Sequence, residues 1–189
     1  MLWLSVALAG RVPGVVLPSP EPPTAPALYE QGGGEGELAC RALVDEVVLL
    51  CFRIEAEGKR RYITTADLAA WDTSLADLEA LAASTLTENP LKPIAIEGGG
   101  SYWQSAAPVG REAVVLLHPE WLAIAGENPV VGIPSRGVVV VWSPGDDEVD
   151  TMVSVGVTQM HGSLPHPITP VVLQKDEEGW SRWGEARKR

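Results

Sequence analysis

Two apolar runs separated by only four residues constrain this chain most. Residues 130–133 read VVGI and residues 138–142 read VVVVW, with Pro134, Ser135, Arg136 and Gly137 between them. So short a connection makes a turn, and the two runs read as paired strands. Their apolarity is continuous rather than alternating, which implies burial on both faces.

The flanking sequence supplies more hairpins and a few helices. Residues 44–54 form a β-branched and aliphatic run, read as a strand, with a short helical turn expected over residues 37–43. Glu57-Gly58-Lys59 is a turn that returns the chain through residues 60–63. Thr64 with Asp67, and Ser74 with Asp77, match the helix-start box in which a hydroxyl caps a free amide and a carboxylate sits at the positive helix end. After the second box, Leu75, Leu78, Leu81, Ala82 and Leu86 fall on one stripe, and Asn89-Pro90 is expected to stop that helix. Residues 94–97 and 101–104 flank three glycines as a second hairpin. Residues 112–117 suit a strand by β-branching or a helix by context, and Pro119 can open a short helix. Four acids, Asp146, Asp147, Glu148 and Asp150, precede a stripe of Val149, Met152, Val153, Gly156, Val157 and Met160, which predicts a helix despite its valines. Residues 168–175 and 180–183 make a closing hairpin. The order lacks regular βαβ alternation. The expected class is therefore α+β: a mixed or antiparallel sheet built from hairpins, packed with two or three amphipathic helices.

Residues 1–36 carry six Pro and six Gly. That composition reads as a flexible tail, with a single folded domain over residues 37–189. The apolar start, MLWLSVALAG, lacks the basic n-region of a signal peptide. It is read as a cytoplasmic protein's loose end, with a degenerate export signal as the alternative. No apolar run reaches the roughly 18–20 residues of a membrane span. Cys51 lies in an apolar run and reads as a buried small hydrophobe, while a Cys40–Cys51 bridge is expected only of an exported chain. The formal charge is -11, from 25 acids against 14 Lys and Arg. Nucleic acid and anionic membranes both need a basic face, so neither is expected as a partner.

The stretch VVGIPSRGVVVVW, its acidic linker, and DTMVSVGVTQMHGSLPHPITPVVLQKDEEGW resemble the end of the YtpQ-like bacterial proteins. Pro167-Ile168-Thr169 stands at the start of the closing hairpin, as in that family. RRYITTADLAAWDTSLADLEALAASTL is similar to the family's middle segment through Tyr62, Leu68, Trp71, Leu78, Ala82 and Leu86. The resemblance spans about residues 44–184, and the Pro/Gly segment stands where the family carries a longer N-terminal region. It implies a fold and a bacterial origin, and it transfers no reaction and no catalytic residue.

Chemistry-bearing patterns are sparse. Ser135 precedes a strand rather than a helix, so it is not a nucleophile elbow. His161 and His166 lie close in sequence but lack a third ligand at metal spacing, as does His118. The acids at 146–150 lack the alternating ladder of an EF-hand and read as helix-capping charge. Gly32–Gly34 and Gly98–Gly100 lack the Lys-Ser/Thr of a phosphate loop. No cofactor and no metal site is expected. Of seven Trp, Trp71, Trp121 and Trp142 read as core, while Trp103, Trp180 and Trp183 lie on hairpins. Trp and Arg concentrate binding energy at interfaces, so an interface anchored by Trp103, Arg136 and Trp180 is the expected site. The functional expectation is a non-catalytic protein-binding or regulatory domain, immunity-like or chaperone-like, that takes a basic protein partner. The alternatives are a hydrolase using Asp/Glu with His161 or His166, and an exported structural domain on a Pro-rich linker.

Overall fold

Hairpins dominate the architecture, as their turn chemistry predicts. The computed structural model describes residues 12–97 and 99–184. Sheet 1 contains β1 (Val15–Glu21), β2 (Cys40–Val44), β3 (Val48–Ala56) and β4 (Lys59–Tyr62). β3 is central, with β1 on one edge, and β2 and β4 following one another along the other. Sheet 2 contains β5 (Leu91–Ala95), β6 (Ser101–Ser105), β7 (Val130–Ser135), β8 (Val138–Trp142), β9 (Leu173–Asp176) and β10 (Gly179–Arg182). Its order is β10-β9-β7-β8-β6-β5, and every pairing in both sheets is antiparallel. The helices are α1 (Ala25–Gln31), α2 (Thr65–Ala70), α3 (Leu75–Ala83), α4 (Pro119–Leu122) and α5 (Asp147–Ser163), with 3-10 turns at Glu112–Leu117 and Ala123–Ala125. The fold is α+β.

The expectation of a flexible tail over residues 1–36 is corrected for its second half. β1 pairs with β3 from Val15↔Glu55 to Glu21↔Leu49, and six of its seven residues are buried. Pro18 and Pro20 led composition astray. Two residues apart, they present the same side of the strand, and a missing N–H is tolerated where that side is the unpaired edge. The suspected export signal lies largely within residues 1–11, outside the described residues.

Other local differences have plain causes. Residues 40–44, expected to begin in a helical turn, pair as a strand with β3, and Glu46 at φ 58 makes the turn between them. α3 stops at Ala83, short of Asn89-Pro90. There Ser84 Oγ and Thr85 Oγ1 donate to the carbonyls of Leu81 and Ala82, both at 2.7 Å, and satisfy the exposed end of the helix. Residues 112–117 are neither strand nor α-helix but a 3-10 turn, with Pro119 opening α4 as expected. Both start boxes form in full.

Three apolar groups hold the layers. Leu50, Phe52 and Ile54 of sheet 1 pack with Leu78 and Ala82 of α3. Val131 and Ile133 of β7 join Leu43, Val47 and Val48 in a core shared by the two sheets. Val130, on the opposite face of β7, packs with Trp142 and with Val149, Val153 and Val157 of α5. Thus β7 is buried on both faces, as its unbroken apolarity requires. Gly132 lets α5 approach: a Cβ there would stand 2.5 Å from a Val157 methyl and 2.9 Å from a Val140 methyl. Trp142 is fully buried, whereas Trp71 and Trp121, expected in the core, pack only partly against it.

Candidate functional site

Strand alternation gives sheet 1 a second, polar face. Ser19 and Glu21 of β1 lie opposite Cys51 and Leu49 of β3, and Arg53 lies opposite Leu17 and Tyr62. Glu21 is only 2% exposed. A carboxylate so buried needs donors, and it has three. Ser19 Oγ and the Tyr62 hydroxyl each donate to Oε1 at 2.7 Å, and Arg136 donates to Oε2 at 3.0 Å. Burial pushes the Tyr62 phenol up, and its bond to Glu21 adds to the effect. Tyr62 therefore stays a neutral donor. The Arg53 guanidinium lies 4.7 Å from the centre of the Tyr62 ring, and Tyr29 of α1 meets the same ring edge-on at 5.7 Å.

Arg136 comes from the other sheet. It sits in the β7–β8 turn, whose backbone is held by the segment after α5. Arg136 N donates to His166 O at 3.1 Å, and Ser135 Oγ to Pro165 O at 2.7 Å. The Glu21–Arg136 pair thus joins residues 115 apart in sequence across two sheets. Between them lies a narrow cleft lined by Ser19, Arg53, Arg60, Gly110, Glu112 and Arg136, with about 20 Å³ open to the centre of a water-sized occupant. Burial pushes the Glu112 carboxyl up, against the backbone bond from Gly110 N at 2.8 Å that stabilises its charge.

An open groove of about 360 Å³ lies elsewhere, lined in part by Glu79, Ala80 and Ala83 of α3, Leu116 and Leu117 of the 3-10 turn, and Trp180 of β10. Arg41 of β2 pairs with Glu79 at one wall. Trp180 stands opposite Lys175 in the β9–β10 register. The hairpin turn beside them carries Glu177 and Glu178, both exposed. Glu120, next to the lining Pro119, is exposed too, and the hydrogen bond with His118 Nδ1 at 2.7 Å holds its carboxyl below the usual range. His118 stacks on Trp121 with ring centres 3.7 Å apart, and its Nε2 lies 3.0 Å from Ala83 O. The lining sets two cations, Arg41 and Lys175, against Glu79 beside the apolar Leu116, Leu117 and Trp180, and Glu120, Glu177 and Glu178 are exposed on the adjoining segments.

The structure does not bring the three sequence-designated residues together. Trp103 on β6 and Trp180 on β10 are separated by β8, β7 and β9, roughly 19 Å at about 4.8 Å per strand. Both rings pack partly against the core shared by the sheets. Arg136 turns to Glu21 instead. Glu21 and the cleft and groove residues Arg53, Leu116 and Leu117 carry no local motif. Only strand parity could have paired Arg53 with Tyr62.

The remaining patterns resolve into local structure. The Asp146 carboxylate accepts from Glu148 N and Val149 N, which caps α5. Asp150 accepts from the buried Trp142 indole at 2.9 Å and from Gly145 N at 3.0 Å. His161 lies in the last turn of α5, and neither His161 nor His166 lines the cleft or the groove. Among the described residues no three His, Cys, Asp or Glu side chains gather as metal ligands. Among them, too, no helix is long and apolar enough to cross a membrane. Cys40 and Cys51, opposite one another in the β2–β3 register, form a disulfide. Comparison with protein-family models, with curated proteins and with solved structures finds no match.

Proposed function

We propose that the chain is a non-catalytic protein-binding domain that takes a basic segment of a partner protein into the Trp180 groove. The carrying observation is a groove with apolar lining whose adjoining segments expose carboxylates. Leu117 and Trp180 offer a seat for one apolar side chain, and Glu120, Glu177 and Glu178 are exposed on the adjoining segments, against the lining cations Arg41 and Lys175. A Trp lining a groove is the residue type that concentrates binding energy. The overall charge of -11 steers a cationic partner toward the surface. Kinship with the YtpQ-like family is part of the same proposal and rests on the residues quoted above.

Peptide display against the full chain tests it. Selected peptides should carry an apolar residue flanked by Lys or Arg. Their enrichment should fall at least tenfold with Trp180→Ala and weaken as salt rises. Selection of acidic peptides, or equal enrichment by Trp180→Ala, overturns the reading.

One observation favours the exported alternative for the compartment. The Cys40–Cys51 disulfide suits an oxidising environment. Thiol labelling of the protein taken directly from its native cells should find no free cysteine, and two labelled thiols would remove this support.

A further inference from the structure

The narrow cleft leaves two electrostatic demands unmet. Arg60 is neutralised by Glu55 at 2.6 Å, and Arg136 by Glu21 at 3.0 Å. Arg53 has neither: among the described residues it faces no carboxylate at ion-pair distance, and its polar contact is the Tyr62 hydroxyl at 3.4 Å. In the same lining, Arg136 Nε is buried and has no acceptor. A half-buried cation without a counter-charge and an orphaned N–H both call for one negatively charged acceptor. Glu112 is the lining's single carboxylate. It accepts from Gly110 N and makes no ion pair with the three arginines. Burial disfavours its charged form, which reduces its competition with an incoming anion. Gly110, at φ +88, keeps the wall thin. A Cβ there would stand 2.6 Å from Arg60 Nη1 and push that guanidinium into the cleft.

We infer that the cleft binds one monovalent inorganic anion of chloride size, held by Arg53 and by Arg136 Nε. The space is about 20 Å³ for the occupant's centre, which suits a single small ion. The anion completes the polar face of sheet 1 with charge-assisted hydrogen bonds, beside the Glu21–Arg136 contact that joins the sheets.

The test is the ³⁵Cl NMR linewidth of the full chain, titrated with chloride at fixed ionic strength in a gluconate background. The expected result is a saturable excess linewidth that bromide displaces. Arg53→Gln should weaken it at least tenfold, Arg53→Lys should retain most of it, and Arg61→Gln, a guanidinium outside the cleft paired with Asp67, should leave it intact. A wild-type linewidth equal to that of Arg53→Gln, or one that does not saturate, means the cleft holds water and overturns the inference.

Discussion

The cleft and the groove share one element, the 3-10 turn Glu112–Leu117, and do opposite things with their charges. Beside the cleft, Glu21 has three donors and fastens the two sheets through Arg136, and the volume of the cleft itself is that of one small occupant. In the groove, Leu117 and Trp180 stand partly open, exposed carboxylates lie on the adjoining segments, and the volume admits a side chain. The difference separates a group used for holding the fold together from surface left for a partner. Burial decides which is which: a carboxylate 2% exposed must be satisfied from within, whereas exposed charges act at a distance.

The largest expected effect sharpens that contrast. Glu21→Ala leaves Arg136, Tyr62 and Ser19 facing an empty acceptor site, and should cost about 2–3 kcal/mol, less than a fully buried pair because Arg136 is partly solvated. Urea denaturation reads it as a lowered midpoint at nearly constant slope. Trp180→Ala should cost less stability and far more binding. If the two variants fall equally in both measures, the division of labour fails.

The smaller effect concerns the start of α3, which supplies a wall of the groove. Ser74→Ala removes the cap on Asp77 N and should cost about 1 kcal/mol. The acid limb of stability reports the same boxes. Asp67 is held below the ordinary aspartate range chiefly by its bond with Arg61, and Asp77 by its bond with Ser74. A carboxyl lowered in the folded state binds its proton more readily when unfolded. Its contribution is therefore present above the unfolded value of about 3.9 and is lost as pH falls through the lower folded one. Ser74→Ala should flatten that acid limb, as read by thermal midpoints between pH 5 and 2. An unchanged limb would show the box to be idle.

The groove's framework was largely legible in the sequence, and the cleft was not. Capping boxes, glycine turns and the twin apolar runs are local, each written within a dozen residues, so the hairpins, α3 and α5 follow from spacing. Glu21 was read as tail because Pro18 and Pro20 mimic a linker, and no local signal says that they line an unpaired edge. Two of its three partners stand 41 and 115 residues away, a distance at which neither period nor composition speaks. Arg136 was singled out for its residue type, yet its guanidinium serves the fold. Trp103 and Trp180 lie on hairpins as expected, but strand order, which pairing alone determines, sets them toward opposite edges of sheet 2.

The central claim is that a carboxylate from the N-terminal strand fastens sheet 1 to the β7–β8 turn of sheet 2. A double-mutant cycle on Glu21→Gln and Arg136→Gln, read by denaturant unfolding of the full chain, tests it directly. The account predicts a coupling of about 1–3 kcal/mol between the two sites. Single effects that add to within about 0.5 kcal/mol would contradict it, for then the two residues would not act on one another and β1 would be held by its backbone alone.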